Sequence, residues 1–299
     1  MRKVKASMMN AIHDLPLLVA RDEGFFRDEG LDVEIIKTPG SGQRDSDHQA
    51  LRSNIFDRTM EALYDQGACD QFRMCEWGVM KRAVESTVEA GHRPAKIVAL
   101  GSAMSTFAVV TDPKAGIYEP EQLKHKPIGV SPFNGSHFTT LKLLEGFLKR
   151  EQIKTTFAGT MRERIEALKR GEVAAISLME PWISVAEKQG LRVLMESHST
   201  RSEAAGDELD GPTLRKMFAA EAEAARAIDK NPAKYAHYLV EEAGGILELK
   251  DLRLARIVNA PPEPYTRERF QHTYEWTRDW GLVPAGATYE NTVDNRAWQ

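Results

Sequence analysis

Residues 16–35, PLLVARDEGFFRDEGLDVEI, decide how the rest of the chain is read. Leu15 to Asp28 is predicted as a helix that stops before Gly30, because a glycine just past the last turn accepts the left-handed conformation that ends a helix. Leu31 to Lys37 (LDVEIIK) then alternates apolar and polar residues, the two-residue period of a half-buried strand. Upstream, Val4 to Met9 is a further short strand. Strand, helix and strand within forty residues form a βαβ unit, and that unit implies a parallel sheet.

Outward from this unit, Pro39 to Gln43 reads as a loop, Arg58 to Gln66 as a helix, Cys69 to Glu76 as a strand and Gly78 to Ala90 as a helix. Ile97 to Leu100 and Phe107 to Thr111 are two more short strands. A second βαβ unit starts at Pro127 to Val130, turns through Ser131 to Ser136 and continues in a helix from His137 to Arg150. Beyond it lie Met161 to Arg170 (helix), Ala174 to Leu178 (strand), Trp182 to Lys188 (helix) and Val193 to Met195 (strand). From Gly211 the chain is mostly helical, over Leu214 to Ile228, Pro232 to Glu242 and Arg267 to Trp280. The predicted division is a discontinuous first lobe of residues 1–101 and 196–299 and a second lobe of residues 102–195.

Composition narrows the function. At 299 residues with 42% hydrophobic residues, the chain is long enough for two lobes with their own cores. A net charge of −4 with scattered Lys and Arg gives no field for a nucleic-acid backbone or an anionic membrane. No segment approaches the ~20 apolar residues of a membrane span, so no membrane insertion is expected. Met1 to Ser7 is short and basic, but Asn10, His13, Asp14 and Pro16 interrupt the apolar residues after it, so no leader of the secretory kind is visible. The expectation is a cytoplasmic protein, or a periplasmic one if a leader has been removed. Two cysteines, Cys69 and Cys75, offer neither a disulfide framework nor structural-zinc spacing. His92, His125, His198, His237 and His272 are dispersed, so neither a metal nor a cofactor is expected.

The opening segment is similar to the start of the sulfonate/taurine/nitrate type of ABC-importer binding proteins and of thiamine-pyrimidine synthases. In the same order, ALYDQGACD (62–70), EQLKHKPIGVSPFNGSHFTTLKLLEGFL (121–148), RIEALKRGEVAAISLMEPWISVAEKQG (164–190) and YEWTRDWGLV (274–283) resemble later parts of that family. The resemblance implies a two-lobed α/β fold of the periplasmic-binding-protein type II kind with a ligand cleft between the lobes. The synthases carry a cysteine-rich iron motif about where residues 176–182 (ISLMEPW) stand, and no cysteine stands beyond Cys75 here. That enzyme is set aside.

Residues 38–60 (TPGSGQRDSDHQALRSNIFDRTM) are longer than the corresponding stretch of ordinary binding proteins. Ser41, Gly42 and Gln43, then His48, then Arg58 resemble, in order and spacing, a segment of the hydroxybiphenyl sulfinate desulfinase, a lyase on the same fold that uses a Cys, a His and an Arg. The resemblance implies roles for His48 and Arg58, whereas its cysteine would fall near Ala11 to His13, where none stands.

Chemically, an arginine fixes a carboxylate or sulfonate through its planar donors, and a histidine exchanges protons near neutral pH. His48, Arg58 and His13 are therefore the catalytic candidates for a cofactor-independent lyase, decarboxylase- or desulfinase-like, that protonates a small aromatic or heteroaromatic acid as carbon dioxide or a sulfur oxide leaves. The same histidines also read as a solvated loop residue and a helix-start residue, and Arg58 as a surface ion pair. Ligand-binding candidates are Asn10, Ser41, Glu76, Ser102, Ser105, Glu180 and Trp182, with Asn134, Gly135, Ser136 and His137 at a helix start that directs N–H groups and a positive dipole end toward an anion. Cys75 reads as a small buried residue. The alternative function is a substrate-binding protein of an ABC importer for a small organic anion, which alone would add an importer permease as partner. A homodimer is compatible with either reading.

Overall fold

The computed structural model describes residues 1–38, 60–88 and 91–299. The chain forms two compact units. Unit 1 comprises Met1–Met104, Thr200–Tyr235 and Asn259–Gln299, and unit 2 comprises Ser105–Ser199 and Ala236–Val258. The chain changes unit three to four residues later than the sequence division places it, and residues 236–258 of the helical tail return to unit 2.

In unit 1, strand β1 (Arg2–Met8) lies parallel to β2 (Leu31–Lys37) in continuous register from Arg2 opposite Leu31 to Met8 opposite Lys37. The connecting helix α1 (Ala11–Asp22) starts earlier than predicted because the Asn10 side chain caps it, accepting the His13 N–H. It also stops earlier. Gly24 takes φ 87°, which separates α1 from a single turn at Phe25–Asp28. On the other side of β1 stands β3 (Gln71–Cys75), parallel to it through Ala6 and Gln71. Next comes the antiparallel β8 (Arg192–Ala205), with Gln71 opposite Ala205 and Cys75 opposite Arg201. The order in this unit is β2-β1-β3-β8-β4, where β4 is Lys96–Thr111. Helix α7 (Gly211–Lys230) packs on α1, and α8 (Arg267–Asp279) on α3 (Glu76–Val88). With α2 (Met60–Asp65) these helices enclose a core that includes Met60, Tyr64, Phe72, Met80, Phe270 and Tyr274.

Unit 2 is ordered β4-β7-β5-β6. Here β5 (Pro127–Val130) lies parallel to β6 (Lys154–Phe157) and to β7 (Ala175–Met179), while β4 runs antiparallel to β7. Its helices are α4 (Gly135–Leu144), α5 (Met161–Lys169) and α6 (Trp182–Lys188). Val109, Ile128, Val130, Leu144 and Ala175 form its core. Strands β1, β3, β5, β6 and β7 each point their C-terminal end at the start of a helix, the edge where open α/β sheets present polar groups to ligands.

Candidate functional site

In unit 1 the polar groups gather where β1 runs into α1 and where β3 ends. Helix α1 loosens at Asp14 (φ −121°, ψ 18°), two residues before Pro16, which has no N–H to give to a regular helix. The loosened turn brings the Asp14 carboxylate back over the strand end, where Oδ2 accepts the Met9 N–H at 2.8 Å and the Asn10 N–H at 3.3 Å. Its other oxygen, Oδ1, lies 3.0 Å from Nη2 of Arg201. Both side chains are buried. His13, one turn into α1, is buried too, and burial first, then the Arg201 charge, holds its pKa well below the ordinary histidine value. His13 is therefore a neutral imidazole at pH 7, unsuited to giving up a proton as an acid.

Beneath these groups, Arg73 of β3 joins two carboxylates. Its Nη2 donates to Glu203 at 2.9 Å and to Glu221 at 2.5 Å, and its Nη1 donates to Glu221 at 3.1 Å. Ser102 donates to Glu221 at 2.8 Å, and Gln71 to Glu203 at 3.1 Å. Ser102 is thus committed to a buried network and not turned to a ligand. Glu76 is committed as well. Its Oε1 accepts from Tyr265 and Thr273 hydroxyls at 2.6 Å each and from Arg269 Nε at 2.7 Å, while Arg269 Nη2 pairs with Oε2. The carboxylate ties α3 to α8, so the expected acceptor for a ligand hydroxyl is already taken. Cys69 and Cys75 are buried thiols, which burial pushes up to about 12, so neither is a thiolate at neutral pH.

In unit 2 the start of α4 carries the candidates Asn134, Gly135, Ser136 and His137. Asn134 is the cap: its side chain takes the Ser136 N–H at 3.1 Å and its carbonyl the His137 N–H at 2.9 Å. That leaves the Gly135 N–H uncommitted among the described residues, fewer backbone donors than the sequence suggests. The turn before the cap holds Phe133 at φ 58°, and its N–H donates to Nδ1 of His137 at 3.2 Å. Burial lowers the His137 pKa. A neutral His137 that accepts at Nδ1 carries its proton on Nε2, which makes it a donor.

Glu180 ends β7 and precedes Pro181 through a cis peptide bond. It accepts from the Ser184 N–H and hydroxyl and from Arg256 Nη1 at 3.1 Å. Burial raises its pKa against these donors. Like Glu76, it braces its own unit. Trp182 is buried with the Arg162 guanidinium 5.7 Å from its ring centre, and its indole N–H has no partner among the described residues. The Ser105 hydroxyl is likewise buried and unpartnered among them.

Ser41, His48 and Arg58 lie outside the described residues. Asp14 and Arg201 are absent from the sequence-derived candidates. Asp14 carries a readable signal, an acid two residues before a helix-interior proline, whereas Arg201 has none, because the apolar pattern of β8 ends at Met195. Among the described residues no cluster of three His, Cys, Asp or Glu side chains could hold a metal, and no helix is long and apolar enough to cross a membrane.

Comparison with known proteins matches this picture. The family described as NMT1/THI5 like matches residues 12–50. No curated protein sequence matches the chain. Among solved structures, the alkanesulfonate-binding protein from Xanthomonas axonopodis pv. citri, bound to MOPS, is 15% identical with a TM-score of 0.71, covering 95% of each chain. The periplasmic nitrate-binding protein from Synechocystis PCC 6803 is 13% identical with a TM-score of 0.74, covering 100% of this chain and 87% of the other. A desulfurization enzyme, DszB, is 13% identical with a TM-score of 0.63, covering 99% and 98%. At these identities the likeness establishes the fold. It is the two-lobed α/β fold of the periplasmic binding proteins, and the resemblance read from the sequence stands.

Proposed function

We propose that this chain is a substrate-binding protein that takes up a small organic anion, a sulfonate or a carboxylate, for an ABC importer. The observation that carries the reading is a set of open, partly charged donors at the strand ends of both units. Asp14, Glu76 and Glu180, the buried carboxylates there, each accept from donors of their own unit and pair with an arginine of it. Among the groups left open in the described residues are several donors: Arg201 in unit 1, and in unit 2 the Gly135 N–H, the protonated nitrogen of His137 and the indole of Trp182. Such an edge recognises an acceptor of negative charge and repels a cation. The fold shared with alkanesulfonate- and nitrate-binding proteins supports the same ligand class. A periplasmic location and an importer permease as partner go with this reading.

A second reading, a desulfinase-like or decarboxylase-like lyase, is supported by the likeness to the desulfurization enzyme and by the order of His48 and Arg58 in the sequence. One experiment separates the two. The purified protein is screened by thermal shift against benzoate, benzenesulfonate, butyrate, butanesulfonate and nitrate, and each stabilising compound is recovered after incubation and weighed by mass spectrometry. Stabilisation with the compound unchanged is the expected outcome. Loss of carbon dioxide or of a sulfur oxide would replace the binding reading with the lyase, and His48→Ala would then abolish turnover.

A further inference from the structure

We infer that Arg201 is the residue of unit 1 that grips the ligand's anionic head, and that Asp14 holds its guanidinium in place for the purpose. This rests on the binding reading above.

Arg201 faces Cys75 across the β3–β8 ladder, so it stands at the C-terminal end of β3, the same sheet edge at which β1 gives way to Asn10 and α1. It is 2% exposed. A guanidinium removed from water to that degree is tolerated when its donors are met, and an unmet one costs the full desolvation of the group. Arg73, its neighbour in the same sheet, obeys the rule at both terminal nitrogens, with Glu203 and Glu221 as acceptors. Arg201 does not. One carboxylate, Asp14, stands 3.0 Å from Nη2 as an ion pair, yet neither Nη1 nor Nη2 has a hydrogen-bond partner among the described residues.

The surroundings suit a fixed donor. Asp14 is itself held by two backbone N–H groups of the β1–α1 junction, at 2.8 and 3.3 Å, so it pins one side of the guanidinium to the most regular part of the sheet. The buried His13 nearby is neutral and brings no competing charge. The guanidinium is thus held by charge on the Nη2 side while its terminal donors stay open, and a charged donor prefers a negatively charged oxygen. Arg201 therefore separates acids from their neutral amides.

The test is calorimetric titration of wild type, Arg201→Lys and Arg201→Gln with benzoate, benzenesulfonate, butyrate and butanesulfonate, and with benzamide and benzenesulfonamide as neutral counterparts. For any acid the wild type binds, Arg201→Gln is expected to bind roughly 10- to 100-fold more weakly, the scale of one charge-assisted hydrogen bond. Arg201→Lys is expected to fall between the two, and the acid-over-amide preference is expected to collapse in Arg201→Gln. Equal affinity of wild type and Arg201→Gln overturns the inference and leaves the binding reading intact. Failure of the wild type to bind any of the four acids sinks the binding reading and the inference together. Should the variants not fold, a crystal structure of the wild type soaked with its best acid decides: an acid oxygen within hydrogen-bond reach of the Arg201 guanidinium supports the inference, and an acid bound elsewhere overturns it.

Discussion

At the scale of single residues, the site is organised by which side chains are already spoken for. Glu76 is the sharpest case, because its place at the end of β3 makes it a candidate acceptor, yet four donors from Tyr265, Arg269 and Thr273 converge on it. Its role is to fasten α8 to the start of α3. Glu76→Gln is accordingly expected to lower stability by about 1.5–3 kcal/mol, the value of hydrogen bonds to a charged group, and to leave ligand affinity within twofold. Thermal denaturation and titration of the same variant check both halves. A large loss of affinity with unchanged stability would put Glu76 on the ligand instead. Buried acids of this kind cannot be sorted from sequence, since a brace and a ligand acceptor are the same residue type at the same strand end.

At the scale of elements, the short parallel strands and their helices are legible because turn residues bound them: β5 and α6 fall at the predicted residues. The two long strands are not. Ile97 to Leu100 and Phe107 to Thr111 are parts of one strand, β4, whose middle (Gly101, Ser102, Ser105, Thr106) is polar in sequence but buried in the sheet. Likewise β8 runs to Ala205 through Ser197, His198, Ser199, Thr200 and Arg201, a stretch with no apolar alternation to announce it. Its burial is set by tertiary neighbours, which no local pattern reports, and so nothing in the sequence points to Arg201. Strand β6 (KTTF) escapes the pattern because it is short and mostly exposed. Glycine has readable consequences at this scale. A Cβ on Gly129 of β5 would meet Ala158 Cβ at 2.9 Å and Ile176 Cγ2 at 3.2 Å, both apolar neighbours packed in place, whereas a Cβ on Gly146 meets nothing within 4 Å. Gly129→Ala is expected to cost about 1–3 kcal/mol as overpacking, and Gly146→Ala less than about 0.5 kcal/mol. Urea denaturation of the two variants checks the contrast, and equal midpoints would mean that β5 has room to shift.

At the scale of the whole molecule, stability should carry the signature of the buried charges of unit 1. Two guanidinium groups, Arg73 and Arg201, stand among three carboxylates, Asp14, Glu203 and Glu221. With every group ionised the set is one negative charge in excess, and burial magnifies that excess. Retaining one proton brings it to zero. Burial, aided by the charge of Glu221 and opposed by Arg73, raises the Glu203 carboxyl to about 8, where an unfolded glutamate titrates near 4.3. Linkage gives the sign. A carboxyl whose pKa is higher in the folded state contributes its full stability below the unfolded pKa, and that contribution is lost as pH rises through the folded pKa. Between about pH 5 and pH 8 the folded state binds the proton that the unfolded chain has released, so raising the pH favours unfolding. The wild type is therefore expected to lose thermal stability over this range by more than Glu203→Gln, whose side chain keeps the shape and the neutral charge at every pH. Denaturation midpoints of both proteins from pH 5 to pH 9 are the measurement. A difference between them that grows with pH shows that the cluster retains its proton through Glu203, and parallel curves would show the cluster fully ionised.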